Sequence, residues 1–396
     1  MTRPLIEARA LPVGKQCRDR FRRMQRGNRD RCESCLMFRP LALAALLAST
    51  AGVHAAAQEQ VQRAGPDCEA LVDGNDGAAC VLARTLESDF IFPEAGARYA
   101  AMLRAAIAEG RYRGLASEDA ARRMTADLQA VAPDGHLRVQ PAPERGEGGA
   151  RNFASDIPLL EQGDWIAPGI GYLRINEFTR DPATIAEVSR FMADHADAEA
   201  LIFDLRTHHG GGLEEMDAIL EWLFAEPTPL VRMEMRRSVA DEHGVPEEEL
   251  ATLRRIETPD MATAEHWALP NGDSRLWDAR VILLTGPRTA SAAEHFALAM
   301  KATGRATLIG SATAGANHFG GGMDLPGGLA AFIPIGRTYD PATGEDWEGH
   351  GVQPDIATDP ADALARALIE LGVEPAESAR LARVYAPTLP MTRREG

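Results

Sequence analysis

Apolar residues recur at helical spacing in the first part of the chain. The pattern predicts helices over residues 79–87, 93–109 and 117–131, and in the third helix Met124, Leu128 and Val131 share one face. Glu118 and Asp119 place acidic side chains in its first turn. The run then stops at a turn over residues 132–135, which leads into a short alternating strand over residues 136–139. We therefore expect a small helical N-terminal domain over residues 58–140.

From residue 169 onwards, short apolar strands alternate with amphipathic helices. Strands are predicted over residues 171–175, 200–205, 230–235, 280–285, 306–310 and 330–335, and helices over residues 184–196, 213–224, 291–303 and 360–371. This alternation predicts an α/β core with a mostly parallel, layered sheet over residues 171–396. Residues 141–170 are predicted to be a linker or flap. Residues 237–275 are charged and weakly patterned, and we interpret them as an insertion over one face.

The first 57 residues have the pattern of a targeting segment. Met37 and Arg39 precede an apolar run over residues 40–53, and small residues follow at 55–57. A positive start, a short apolar run and small residues are typical of a signal peptide, here with cleavage near Ala55–Ala57. The run is too short for a permanent membrane span. Residues 1–36 are interpreted as a mis-called N-terminal extension, and the mature protein is expected to be periplasmic or secreted.

Charge narrows the range of partners. The chain carries a net charge of −16, and residues 1–57 contribute +7, so the mature chain is near −23. Such an acidic protein is a poor match for nucleic acid or an anionic membrane, which cationic proteins bind.

Cysteine usage agrees with export. Cys17, Cys32 and Cys35 would leave with the presequence, so Cys68 and Cys80 remain. An even pair in an oxidising compartment predicts a Cys68–Cys80 disulfide, with two separate buried thiols as the alternative.

Residues 280–310 form a strand, a tight turn, a helix and a second strand in this prediction. The turn delivers Ser291 to the first turn of the helix, where unpaired backbone N–H groups and the positive end of the helix dipole lie. A serine there is either an ordinary N-cap or a nucleophile beside an oxyanion site.

A nucleophilic serine needs a base, and the sequence restricts the choice. The mature chain has a single lysine, Lys301, and ten helical residues (about 15 Å of rise) separate it from Ser291. The base is therefore expected to be one of nine histidines, and spacing alone selects none of them. We expect His195, His243 and His266 to be solvated. No metal site is predicted, because ligand spacing such as His-Glu-x-x-His is absent.

A glycine loop, Gly210-Gly211-Gly212, follows a buried strand and opens a helix. Glycines at such a point let backbone N–H groups approach a ligand closely. An oxyanion contribution, a phosphate loop and a tight turn without a function are all compatible with it, although the phosphate loop lacks its Gly-Lys-Ser/Thr ending.

Three motifs together resemble the tail-specific protease, or C-terminal processing peptidase, family of serine peptidases. They are the nucleophile segment Thr289-Ala-Ser291-Ala-Ala-Glu294, the loop Asp204-Leu-Arg206 with Gly210-Gly211, and the segment Gly351-Val-Gln-Pro-Asp355. The lysine of the Ser–Lys members is missing. The chain is thus more similar to the branch of the tricorn core protease and interphotoreceptor retinoid-binding protein. The interval between His136 and residue 171 is too short for the PDZ domain that many relatives insert.

The resemblance implies a fold, a function and roles for individual residues. It implies a crotonase/ClpP-like α/β core and a peptidase that acts on peptides or proteins without a cofactor. Ser291 matches the nucleophile, His136 the upstream histidine and Glu348 the glutamate of a Ser-His-Glu triad. Ala292 with Gly210 or Gly211 would supply the oxyanion hole. A non-catalytic binder of hydrophobic ligands or peptides is the alternative, and the oligomeric state is left open.

Overall fold

The N-terminal helices form where the apolar spacing predicts them. The computed structural model describes residues 73–142, 158–246 and 249–393. The helices are α1 (Gly74–Asp89), α2 (Pro93–Ala108) and α3 (Ser117–Val131). Helix α3 buries Ala120, Ala121, Met124 and Leu128, the face that the sequence indicates. No helix among the described residues is both long and apolar enough to cross a bilayer.

A six-stranded sheet forms the centre of the α/β core and confirms the predicted fold class. Its order is β12-β9-β8-β4-β3-β2, parallel except for the antiparallel edge strand β2. The strands are β2 (Leu160–Ala167), β3 (Ile170–Ile175), β4 (Ala200–Asp204), β8 (Arg280–Thr285), β9 (Thr307–Gly310) and β12 (Ile356–Ala357). Because β4 and β8 are adjacent and parallel, the loops that follow them leave the sheet at the same edge.

Helices cover both faces of this sheet. On one face α4 (Pro182–Asp194), α5 (Glu214–Leu223) and α7 (Ala292–Ala302) bury apolar side chains such as Met192, Met216 and Phe296 against alternate strand residues. On the other face α8 (Ala363–Glu370) and α9 (Pro375–Val384) pack through Leu364, Leu368 and Leu381. Because both faces of the sheet are covered, every residue of β3 and β4 is buried, rather than every second one.

A second, antiparallel sheet includes part of the segment that the sequence pattern indicated as an insertion. It contains β1 (Arg138–Pro141), β5 (Thr228–Arg236), β6 (Leu253–Glu257), β7 (Met261–Ala268), β10 (Phe319–Leu325) and β11 (Leu329–Tyr339). The interpretation of residues 237–275 as a covering insertion is wrong. They supply α6 (Arg237–His243) and two strands of this sheet. Strand β7 pairs with β5, and β6 pairs with β7.

The N-terminal helices pack against this second sheet. Leu86, Leu103 and Leu128 share one buried cluster with Leu329 and Ile333 of β11. This packing holds the end of α3, and the turn that follows it, against the second sheet. The domain boundaries drawn from the sequence stay a prediction. Residues 143–157 of the predicted linker lie outside the described residues, as do the predicted signal peptide and Cys68.

Candidate active site

Ser291 begins α7 in a strained backbone conformation. Its φ of 55° and ψ of −121° place a serine where glycine is usually required, and Arg180 is the one other non-glycine residue with positive φ in the described ranges. The turn is fastened to the loop that follows β4. Ala290 donates its N–H to the carbonyl of His208 (3.1 Å), and Thr289 Oγ1 donates to the carbonyl of Leu205 (2.7 Å). The side chain of Ser291 is thereby presented at the first turn of the helix.

Glu294 holds this turn from within the helix. Its fully buried carboxylate accepts the N–H of Ser291 at 2.9 Å through Oε2. It also accepts Thr313 Oγ1 (2.5 Å) and the N–H groups of Gly315 (2.7 Å) and Ala316 (2.9 Å). Burial raises the pKa of Glu294 to about 6, against the hydrogen bonds that lower it. The sequence analysis included Glu294 in the nucleophile segment without assigning it a role. The structure makes it the link between the Ser291 turn and residues 313–316.

The glycine loop lies directly against Ser291. A Cβ on Gly210 would lie 2.7 Å from Ser291 Cβ and 3.3 Å from its Oγ. A Cβ on Gly211 would lie 1.8 Å from the carbonyl oxygen of Phe178. Both residues have positive φ, 111° and 129°. Two independent constraints thus require glycine at each position, and the loop lies beside the serine as a site of acyl transfer needs.

The N–H of Gly210 is hydrogen-bonded to the side chain of His208. Its Nδ1 lies 3.0 Å from that nitrogen and accepts the hydrogen bond, so the imidazole is neutral with its proton on Nε2. Complete burial lowers the pKa of His208 well below its ordinary value, with a smaller contribution from His209. Of the three predicted oxyanion donors, Gly210 is therefore engaged. The N–H groups of Gly211 and Ala292 have no acceptor within the described parts of the chain.

A buried cluster of charged side chains lies at the start of the glycine loop. Asp204 accepts hydrogen bonds from Arg206 (2.6 and 2.8 Å), from Arg174 Nε (3.2 Å) and from the hydroxyl of Tyr172 (2.6 Å). Burial by itself would raise the pKa of Asp204, but the two guanidinium groups outweigh it and hold the pKa below its usual range. These contacts fix the end of β4, from which the glycine loop starts.

His136 follows the turn after α3 and lies two residues before the start of β1. Its ring stacks on Phe332 with centroids 5.1 Å apart, and its buried Nδ1 has no hydrogen-bond partner. Burial lowers the pKa of His136 to about 4, opposed by the charge of Asp134. The imidazole is therefore neutral near pH 7, as a general base must be. His136 and Ser291 make no hydrogen bond to each other in the described structure.

Packing nevertheless joins the two turns. A Cβ on Gly135 would lie 2.7 Å from Cα of Ala316 and 3.0 Å from the carbonyl oxygen of Gly315. The N–H of Ala316 and the N–H of Ser291 share the same oxygen of Glu294. The residue before His136 thus rests on a segment that is fastened to the Ser291 turn.

Glu348 lies beside the His136 turn rather than on the imidazole. Its Oε1 accepts the N–H of Gly135 at 2.6 Å, and its Oε2 accepts the N–H groups of Asn317 (2.7 Å) and His318 (3.3 Å). Burial and the nearby charge of Asp134 raise the pKa of Glu348. A different imidazole, that of His318, lies near its carboxylate, with Nδ1 at 3.7 Å from Oε2.

The other predicted side chains fall away from this centre. Lys301 lies at the far end of α7, bonded to the carbonyl of Gln353 (2.6 Å) and to Asp355 (3.0 Å). His195 and His266 are buried, so the expectation that they are solvated is wrong. His266 connects Asp217 (2.7 Å) to His295 (2.9 Å), a contact that its polar neighbours in sequence do not reveal. Cys80 is buried and disulfide-bonded, but its predicted partner Cys68 lies outside the described residues.

Two groups of described side chains bring possible metal ligands together. They are Asp89, Glu242 and His243 on the surface, and Asp134, His318 and Glu348 in the interior. In the interior group Asp134 Oδ2 lies 2.7 Å from His318 Nδ1, and the remaining carboxylate oxygens accept backbone N–H groups. Each carboxylate oxygen of the group already accepts a hydrogen bond. The group therefore has the character of an ion-pair network.

A strained serine at a helix N-terminus lies beside a glycine loop that follows a strand of the parallel sheet. Residues 169–358 match the model of peptidase family S41.

Individual proteins show the same relationship. The chain is 25% identical over 236 residues to a carboxyl-terminal-processing protease of Synechocystis, covering 56% of this chain and 48% of that protein. The chain thus spans about half the length of this curated relative. Similar solved structures include the photosystem II D1 C-terminal processing protease (TM-score 0.43, 16% identity, 72% of this chain and 93% of that chain). They also include the tricorn protease (TM-score 0.44, 12% identity, 78% of this chain and 37% of that chain).

Proposed function

We propose that the protein is an exported serine peptidase that hydrolyses peptide bonds through an acyl-enzyme. Ser291 is the nucleophile, His136 the general base and Glu348 the carboxylate that orients it. The observation that carries the proposal is the strained Ser291 turn with Gly210 against its side chain, because an ordinary N-cap needs neither feature.

In the first step Ser291 Oγ attacks the carbonyl carbon of a peptide bond while His136 takes the hydroxyl proton. The negative charge that develops on the carbonyl oxygen is stabilised by backbone N–H groups at the start of α7 and in the glycine loop. Ala292 and Gly211 are the favoured donors, because the N–H of Gly210 is bonded to His208. Gly210 would join them once His208 releases it.

His136 then gives its proton to the leaving amine, and the C–N bond breaks. Water enters, loses a proton to His136 and attacks the acyl-enzyme, and Ser291 recovers its proton as the product acid leaves. The unpartnered Nδ1 of His136 supports this role, since a carboxylate that reaches it would fix the tautomer and stabilise the imidazolium. Glu348 is held one residue away, on the N–H of Gly135. Catalytic hydrogen bonds are often long without substrate and shorten in the complex.

The decisive test is covalent labelling by a fluorophosphonate probe. The wild type is expected to be labelled on Ser291, and Ser291→Ala is expected to abolish labelling without unfolding the protein. Ser274→Ala is the matched control, because Ser274 is an exposed serine in a distant loop. A folded wild type that never reacts would reject the peptidase and favour the non-catalytic binder of hydrophobic ligands or peptides.

Export is tested separately. We expect the protein recovered from the periplasm or medium to begin close to residue 58, after cleavage near Ala55–Ala57. N-terminal sequencing of that protein decides the matter, and an intact N-terminus on active protein in the cytoplasm would reject export.

A further inference from the structure

His318 is the centre of the interior ionic cluster. It directly precedes β10, and its side chain is 6% exposed. Its Nδ1 lies 2.7 Å from Asp134 Oδ2 and 3.7 Å from Glu348 Oε2. Two carboxylates this close to one buried nitrogen repel each other unless a positive charge lies between them.

The two carboxylates hold three successive N–H groups of the turn that carries the proposed base. Glu348 Oε1 accepts the N–H of Gly135 (2.6 Å), and Asp134 Oδ1 accepts the N–H groups of His136 and Leu137 (2.8 Å each). His318 connects both carboxylates through one ring nitrogen. Its own N–H also donates to Glu348 (3.3 Å). The N–H groups of residues 135–137, which include that of His136, are therefore held by this cluster.

The surroundings of His318 favour its charged form. The groups that face it are Asp134 and His136 from the turn before β1, Glu348 and Asp346 from the loop after β11, and the rings of Phe90 and Phe92. Burial opposes the charge, but the bond to Asp134 and the three acidic groups outweigh it and raise the pKa of His318.

We propose that His318, as an imidazolium ion, is a positioning residue that fixes the His136 turn and keeps Glu348 ionised. The proposal rests on the proposed peptidase function, because it assigns His318 to the same site. His318 acts through Asp134 and Glu348, and within the described residues it makes no hydrogen bond to Ser291.

Loss of the positive charge has a specific consequence. Without it, Asp134 and Glu348 repel, and Glu348 takes up a proton at a higher pH than before. The positive charge of His318 also disfavours protonation of His136, so its loss raises the pKa of that base. Both changes remove activity from the acidic side of the pH profile. An opposite charge at this distance typically shifts a carboxyl pKa by about 1 to 3 units.

The experiment measures the rate of fluorophosphonate labelling of Ser291 between pH 4 and pH 9 in the full-length protein. His318→Gln retains a hydrogen-bond donor but removes the charge. We expect its acidic limb to move up by at least about one pH unit, with labelling about fivefold slower at about pH 4 and close to wild type at pH 9. His350→Gln is the matched control, because His350 is exposed and also lies in the Glu348 loop.

The outcomes separate this inference from the function on which it rests. A wild type that is not labelled at any pH rejects the peptidase itself. A labelled wild type with an unshifted His318→Gln profile, or one lowered equally at every pH, rejects the positioning role. If His318→Gln does not fold, ¹⁵N NMR of the histidines in the wild type replaces it. Two protonated ring nitrogens on His318 at pH 7 would support the proposal, and a neutral ring would overturn it.

Discussion

Gly210 lies so close to Ser291 that the two residues share one space: a Cβ on Gly210 would be 2.7 Å from Ser291 Cβ. Gly210→Ala should therefore displace the serine side chain and strain a backbone with φ of 111°. We expect labelling of Ser291 to slow at least about a hundredfold, since a displacement of about 1 Å at a reacting atom has effects of that size.

The control for this substitution is Gly321→Ala. A Cβ on Gly321 would have no atom within 4 Å, and the φ of Gly321 is not positive. The rate of labelling should therefore stay within about twofold of the wild-type rate. Equal labelling of Gly210→Ala and Gly321→Ala would contradict the assigned contact.

Glu294→Gln tests the link between the Ser291 turn and residues 313–316. The buried carboxylate accepts four hydrogen bonds, and an amide NH₂ in place of one oxygen would face N–H donors. An unmatched buried donor costs about 1 to 3 kcal/mol, so urea unfolding should show a loss in that range and labelling should also slow. Glu377→Gln, in an exposed pair with Arg380, should leave the free energy of unfolding nearly unchanged. Wild-type stability and labelling in Glu294→Gln would show that the link is dispensable.

His208 allows a conservative exchange. Its Nδ1 accepts the N–H of Gly210 at 3.0 Å, and the amide oxygen of asparagine can accept a bond from the residue two positions on in the same way. His208→Asn is therefore expected to retain labelling within about threefold, whereas His208→Leu should lose at least about tenfold because the loop is no longer held. If the leucine variant labels as fast as the asparagine variant, the hydrogen bond does not position the loop.

The buried imidazole of His136 makes stability depend on pH. Its folded-state pKa is about 4 against an ordinary 6.5, so between these values the unfolded chain binds a proton that the folded protein does not. Stability therefore falls as the pH falls from about 6.5 to about 4, by up to about 3 kcal/mol from this residue. The measurement compares unfolding free energies of wild type and His136→Gln at pH 7.5 and pH 4.5. The stability difference between the two proteins should shift against the wild type at the lower pH, and a difference independent of pH would contradict the buried neutral form.

The predicted Cys68–Cys80 bridge closes a short loop at the start of α1. Non-reducing peptide mapping should find the two cysteine peptides joined, and Cys68→Ala should lower the free energy of unfolding by up to about 3 kcal/mol. Wild type in reductant serves as the comparison, since it should lose a similar amount. Peptides that separate without reduction would exclude the pairing.

The parts of the fold that follow local patterns are predictable from the sequence. Helix α3 occupies the predicted residues because its acidic first turn and apolar face are encoded within fifteen residues. Strands β6 and β7 escaped prediction since they are stabilised by pairing, β7 with β5 and β6 with β7, and the exposed charges of β6 hide its alternation. His266 shows the same limit: its burial depends on Asp217 and His295, which lie far away in the sequence.

The site is predictable in its residue types and less so in its contacts. The glycines at 210 and 211 and the serine at 291 follow from backbone requirements of a strand-turn-helix and a close approach. The bond from Glu348 to Gly135, and the insertion of His318 between two acids, depend on how loops from three parts of the chain pack. Such contacts have no periodicity that a sequence could reveal.

The packing of Gly135 on Ala316 has a consequence for the order of synthesis. The His136 turn leaves the ribosome first, Ser291 much later, and the residues that fasten both, 313–318 and 348, later still. Under the proposed function, a nascent chain that already displays Ser291 has no ordered base. Under the same proposal the site is complete only after the loop that bears Glu348 has been made.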